Sequence, residues 1–146
     1  MKRTEIVIFD IDGTLADISS RVHHVHQTPK DWEAFFEGMA EDKAVRSIVR
    51  LCNLLHAAGL RVVLCSGRNE AHRAETVTWL AREGVNYHEL RLRRDGDFRS
   101  DVVVKREMLR GIDNGRVLFV VEDRSRVVEM WRAEGLVCLQ CAPGEF

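Results

Sequence analysis

Glu5-Ile6-Val7-Ile8-Phe9-Asp10-Ile11-Asp12-Gly13-Thr14-Leu15 sets the fold class of the whole chain. Its first half is a near-continuous apolar run, the pattern of a strand covered on both faces, as in a parallel sheet. Its second half sets two acids one residue apart and follows them with glycine. In an extended chain the Asp10 and Asp12 side chains would point to opposite faces. A turn beginning at Asp10 brings both to one pocket, and Gly13 permits that turn.

Four more apolar runs follow, at residues 60–65, 87–92, 117–121 and 136–141. Helical stretches separate them. Asp42 is an N-cap for a helix over 43–58 that stops at Gly59, with Val45, Ile48, Val49, Cys52 and Leu55 on one face. A second helix over 69–83 ends at Gly84. Ser100 and Ser125 cap two more, over 101–112 and 126–134, and the Val127, Val128 and Trp131 stripe of the last is core. This alternation predicts an α/β fold: a five-stranded parallel sheet between two layers of helices. Ligands of such sheets bind beyond the carboxyl ends of the strands at the switch point, here just after Phe9, Cys65 and Val121.

Residues 16–42 break the alternation. Thr28-Pro29-Lys30-Asp31 is a helix start with Pro29 at the first helical position, and Trp32, Phe35 and Phe36 follow. The insert is expected to form a small helical flap near the strand ends, inside a single domain over 1–146. The length fits one domain with a proper core. With 22 basic and 23 acidic residues the net charge is -1, which removes any global attraction to nucleic acid. The apolar stretch near the N-terminus is too short for a signal-peptide core or a membrane span. A cytoplasmic protein is expected, with Cys52, Cys65, Cys138 and Cys141 as free thiols.

Chemistry gathers at the strand ends. Cys65-Ser66-Gly67-Arg68 offers a hydroxyl, a flexible backbone N–H and a guanidinium, a phosphate cradle. Val121-Glu122-Asp123-Arg124 adds a second acidic pair at the same sheet edge, and Lys105 lies on the helix that starts near Ser100. Two carboxylates about 4 Å apart repel by about 4 kcal/mol at an effective dielectric of 20, or about three pKa units. They cannot all stay ionised unaided. A hard divalent cation resolves this, and all-oxygen ligation suits magnesium. Positive groups around a phosphoryl unit suit phosphoryl transfer.

These residues resemble the haloacid dehalogenase (HAD) superfamily of phosphohydrolases. Asp10-Ile11-Asp12-Gly13-Thr14 is similar to its first motif, Ser66 to its second, Lys105 to its third and Glu122-Asp123 to its fourth. A narrower resemblance, to the phosphatase domains of bacteriophage-type polynucleotide kinase-phosphatases, rests on Ser66-Gly67-Arg68, on Asp101 to Lys105, on Glu122 to Arg132 and on Pro143 to Phe146. The flap is much less alike, and Glu122 stands where the bacteriophage enzyme has Asp.

The resemblance implies a HAD-like Rossmannoid sandwich and an aspartyl-phosphate mechanism. Asp10 would be the nucleophile, and Asp12 would protonate the leaving oxygen and then activate water. Mg2+ would be held by Asp10, the Asp12 backbone carbonyl and Asp123, with Glu122 assisting through water. Ser66, Arg68 and Lys105 would act on the phosphoryl group, with Gly13, Thr14 and Gly67 lining its site. The implied substrate is a 3′-phosphate on a nucleotide or nucleic acid. A small-molecule phosphatase or nucleotidase is the alternative, and a non-catalytic HAD-like binding module a third reading. No Gly-x-x-x-x-Gly-Lys-Ser/Thr loop occurs, so kinase activity is not expected from this chain, and a separate kinase is a candidate partner.

Arg91, Arg93, Arg94 and Arg99, with Arg73 and Arg82, are candidates for tracking a phosphate backbone. His23-His24-x-His26 is read as a flap contact to substrate, and Cys138-x-x-Cys141, which has zinc-like spacing, as core.

Overall fold

The computed structural model describes residues 3–146. Five parallel strands form the main sheet: β1 (Ile6–Phe9), β4 (Arg61–Asn69), β5 (Glu89–Arg93), β6 (Val117–Glu122) and β7 (Cys138–Gln140), in the order β5-β4-β1-β6-β7. Side chains alternate across this sheet, so each strand feeds two cores. Val7, Phe9, Val62 and Leu64 pack on one side with Val49, Cys52, Trp79 and Leu80 of α3 (Arg46–Ala57) and α4 (Arg73–Arg82). Ile6, Ile8, Val63 and Val120 pack on the other with Val104 of α5 (Asp101–Glu107) and Val127, Val128 and Trp131 of α6 (Ser125–Ala133). The result is a three-layer α/β sandwich, and the Val127/Val128/Trp131 stripe is core.

β1 lies centrally between β4 and β6, where the chain's winding reverses. Phe9 pairs with Leu64 on one side and Val121 on the other. The Asp10 N–H still donates to the Val121 carbonyl at 3.0 Å. This register sets Asp10, Ser66 and the Glu122-Asp123 pair along one edge.

The flap rises from that edge on a short antiparallel stem, β2 (Ala16–Asp17) against β3 (Lys43–Ala44). It carries α1 (His23–His26), α2 (Trp32–Glu37) and a 3-10 turn, Met39–Glu41. Ile18, Val25, Phe35 and Phe146 form its own small core. Among the described residues no helix is long and apolar enough to cross a membrane.

Several local expectations are corrected: α5 ends at Glu107 and its N-cap Ser100 makes no side-chain cap bond, and Ser125 begins α6 with Arg124 at the N-cap. Helix α3 starts only after Val45, and Asp42 is not its cap. The Asp42 carboxylate accepts instead from Arg21 Nε and Nη2, while its carbonyl accepts from Trp79 Nε1 at 2.9 Å. Tertiary partners stronger than a cap take this residue. Pro29 does not open α2; Asp31 caps it, accepting from the Ala34 N–H at 3.0 Å. The Ser66-Gly67-Arg68 stretch lies inside β4, where the register to β5 shifts between Cys65 and Asn69. Such a bulge re-aims side chains without ending the strand.

Because Phe35 is the buried centre of a cluster separate from both sheet cores, Phe35→Ala is expected to loosen the flap and spare the sheet. Amide hydrogen exchange checks this: protection is lost over 18–39 and retained in β1 and β4.

Candidate active site

The turn after β1 is closed by backbone bonds: the Thr14 and Ala16 N–H groups donate to the Ile11 carbonyl, and the Gly13 N–H to the Ala16 carbonyl. It buries Ile11 and turns both Asp10 and Asp12 toward one cavity. Gly13 is required twice over. Its φ is +88°, and a Cβ there would stand 1.9 Å from Asp123 Oδ2. Glycine is what lets the turn and Asp123 approach each other.

Asp10, Glu122 and Asp123 are all buried, and each offers a carboxylate oxygen within 4.8 Å of the others'. Lys105, nearly fully buried on α5, donates to Asp10 Oδ1 at 2.6 Å and Glu122 Oε2 at 2.8 Å. Glu122 Oε1 accepts the N–H groups of Asp123 and Arg124, at 3.2 and 3.3 Å. Thr14 Oγ1 donates to Asp10 Oδ2 at 3.1 Å and lies 3.4 Å from Asp123 Oδ1. Among the described residues Asp123 has no ion-pair partner.

Beside this quartet stands a second. Arg68, fully buried, grips Asp12 with Nε at 3.0 Å and Nη2 at 2.7 Å, and its Nη1 donates to Thr76 Oγ1. Arg21, from the flap, joins Asp12 to Asp42 and also donates to the Phe35 carbonyl. Two arginines here face two acids, so this group is balanced. The first is not: three acids face one lysine, leaving two negative charges uncompensated.

The titration behaviour follows. Burial, then Glu122, pushes the Asp10 carboxyl above its usual range despite Lys105. Burial, then Asp10 and Glu122, raises Asp123 strongly. Burial by itself would lower Lys105, but Asp10 and Glu122 outweigh it and hold its ammonium well above the usual value. Burial also acts to raise Asp12, but Arg68 and Arg21 together prevail and hold it ionised far below the carboxylate range. A buried site short of two positive charges, built from oxygen donors alone, fits a hard divalent cation. The acidic cluster is thus compatible with metal binding.

Of the residues singled out in the sequence, Asp10, Asp12, Gly67, Lys105, Glu122 and Asp123 line the cavity. Gly13, Thr14, Ser66 and Arg68 stand behind them. The Ser66 hydroxyl accepts the Arg68 N–H at 3.1 Å, and Arg68 points at Asp12 rather than into the open cavity. Arg21 and Asp42 went unread as site residues. No local pattern marks Arg21, whose carboxylate partners lie 9 and 21 positions away.

Of the basic residues at the end of β5 and after it, Arg94 is exposed and the others are held by bonds within the protein. Arg91 bonds Glu89 and the Met108 and Arg110 carbonyls. Arg93 holds Asp101 and the Gly67, Asp97 and Arg99 carbonyls. Arg99 bridges Asp97 and Glu107, Arg73 pairs with Glu70 and Arg82 bonds the Ala40 carbonyl. The four cysteines are free.

The family model for the polynucleotide kinase PNKP phosphatase domain matches residues 4–146. Two solved structures, described as "Structure of Pnkp1/Rnl/Hen1 complex" and "Structure of the Pnkp1/Rnl/Hen1 RNA repair complex", are each 31% identical to this chain, with TM-scores of 0.81 and 0.82. They cover 97% and 98% of it, and the chain spans 47% and 44% of theirs, under half their length. A predicted phosphatase from Clostridium acetobutylicum shares the fold at 16% identity and a TM-score of 0.70, over 95% of this chain and 85% of its own.

Gly13→Ala is expected to destabilise the chain by at least ~1–3 kcal/mol through backbone strain alone, with the Asp123 clash added. Urea unfolding measures it; a control with a similar backbone, Gly96→Ala, has φ +81°, meets no atom within 4 Å and carries only the backbone cost.

Proposed function

From the premise that this chain belongs to the polynucleotide kinase PNKP phosphatase-domain family and is a HAD-type phosphatase, we propose that it is magnesium-dependent and removes 3′-phosphates from nucleotides or polynucleotide ends. The observation that carries the reading is the charge imbalance of the Asp10/Glu122/Asp123/Lys105 quartet. It suits a site that receives both a divalent cation and a phosphoryl group.

In the proposed first step a carboxylate oxygen of Asp10 attacks phosphorus and the P–O3′ bond breaks. This leaves an aspartyl-phosphate and a 3′-oxygen that takes a proton from Asp12. In the second step water attacks phosphorus, Asp12 takes its proton, and the bond to Asp10 breaks to release phosphate. Arg68 and Arg21 hold Asp12 in the charged form that the second step uses. An arriving phosphoryl dianion counteracts those guanidiniums and favours the protonated form that the first step uses. Lys105 neutralises negative charge on Asp10 and the phosphoryl oxygens. A bound Mg2+, held by Asp10, the Asp12 backbone carbonyl and Asp123 with Glu122 behind them, would supply further positive charge to those oxygens. Glu122, with both oxygens already engaged, positions Lys105 and Asp123.

Residues 16–42 are proposed as the flap that covers the substrate within a single domain, since Trp32, Phe35 and Phe36 roof the cavity. The 31% identical Pnkp1 structures are of complexes with Rnl and Hen1, the second described as an RNA repair complex. This supports a nucleic-acid repair setting for this chain. Free, largely buried thiols fit a reducing, cytoplasmic compartment.

The test is phosphate release from a nucleoside 3′-phosphate, a 5′-phosphate and a 3′-phosphorylated oligonucleotide, with Mg2+ and with chelator. Turnover is expected only with Mg2+ and chiefly on 3′-phosphates. Turnover confined to 5′-nucleotides or sugar phosphates rejects the substrate assignment, and none at all rejects catalysis. Asp10→Asn is expected to abolish turnover with the fold intact by circular dichroism. Asp123→Asn is also expected to be inactive, yet more stable than wild type in chelator by at least ~1.4 kcal/mol, one pKa unit of relieved repulsion. Its melting temperature should no longer rise with added Mg2+.

A further inference from the structure

Beyond β7 the chain crosses the acidic edge and touches each part of it in order. The Cys141 thiol lies 3.6 Å from Thr14 Oγ1, beside the turn that carries Asp10 and Asp12. Gly144 packs on the other acidic turn. Its carbonyl accepts the Ser125 N–H at 2.9 Å. A Cβ at Gly144 would stand 2.2 Å from the Asp123 carbonyl oxygen and 2.6 Å from Arg124 Cα, so only glycine permits the approach. The Glu145 carboxylate accepts the Ser125 hydroxyl at 3.0 Å. Gln140, at the end of β7, donates from Nε2 to the Asp123 carbonyl at 2.9 Å.

Phe146 then enters the flap. Its ring, 9% exposed, is buried with Ile18, Val25 and Phe35 and stands edge-on to His26 at 5.7 Å. Every other member of that small core belongs to the flap itself. The Phe146 carbonyl accepts from Arg124 Nε, and the Arg124 guanidinium lies 5.2 Å from both the Phe146 and the Trp32 ring centroids. Between the bonded Gly144 and the buried ring are two residues of chain, which reach at most about 7 Å. The ring therefore cannot follow a departing flap unless the contact at the Asp123 turn gives way.

We infer that residues 141–146 form a strap that latches the flap over the acidic site, with Phe146 as its positioning residue, and that flap movement is coupled through the strap to the Asp123-Arg124 turn. The inference rests on the proposed role of the flap as the cover of the substrate. Arg21 fastens the flap by charge from within; Phe146 fastens it by burial from outside. A latched flap is near its covering position before substrate arrives, so little binding energy goes into closing it. Opening has to draw the Phe146 ring out of the flap core or lift Gly144 from the Asp123 turn.

Phe146→Ala empties the latch and leaves every residue of the two quartets in place. Amide hydrogen exchange is expected to quicken across 18–39 and 123–126, with β1 and β4 unchanged. For phosphate release from a 3′-phosphorylated nucleotide, KM is expected to rise roughly 10-fold or more while kcat stays within about 2-fold, because bound substrate must now close the flap itself. Phe146→Leu, which refills the core with an aliphatic side chain, should recover most of both changes. Gly144→Ala, on the body side of the strap, should also quicken exchange across 18–39. Unchanged exchange there in either alanine variant, a fall in kcat with KM unchanged, or no recovery with leucine would each overturn the strap. So would faster exchange spread evenly over β1 and β4, the mark of general destabilisation. Hydrogen exchange needs no turnover, so failure of the underlying reading looks different: wild type would release no phosphate, and exchange alone would decide the strap.

Discussion

Lys105 holds the site together and leaves it unfinished. A buried ammonium is tolerated only where carboxylates surround it, and Asp10 and Glu122 do so. That pairing ties α5 to the ends of β1 and β6 through the interior. It also leaves Asp123 without a cation of its own, held close by Gly13 where its charge repels Asp10. The protein tolerates a locally unfavourable arrangement because sheet and helices determine it on all sides, the pattern expected where strain serves a reaction.

The second quartet does the opposite work. Arg68 and Arg21 cancel Asp12 and Asp42 and, in doing so, fasten the flap to the sheet edge. Flap position and the charge state of Asp12 therefore depend on the same guanidinium. A flap displaced by a few ångströms would release Arg21 and return Asp12 toward ordinary carboxylate behaviour. Arg124 links the same parts from another direction, packed between Trp32 and Phe146 and bonded to Asp101. The acidic cavity and an aromatic cavity beside it share these walls, so both rest on one set of contacts.

Much of this was legible in the residues. The five apolar runs became the five strands, and the acids following β1 and ending β6 became neighbours because parallel register puts those ends at one edge. The helix over 43–58 was read too long because its first residues form β3 and Asp42 is claimed by Arg21. The arginines at the end of β5 and beyond suggested a phosphate track, yet Arg91, Arg93 and Arg99 are taken up by carbonyls and acids of β4, of α5 and its C-terminal turn, and of their own segment. Charge density along a chain does not tell whether the charges face solvent or one another.

The strands, the turn at Gly13 and the identity of the acids at the sheet edge were already written in the order of residues. Each of these follows from near neighbours: apolar periodicity, a glycine where φ is positive, polar residues where an apolar run stops. It took the folded arrangement to assign Arg68 and Arg21 to Asp12 and Lys105 to Asp10 and Glu122, and to leave Asp123 uncompensated. Those pairings join positions from 9 to 95 residues apart. Coulomb energy depends on separation and burial in space, and neither is written in the order of the residues.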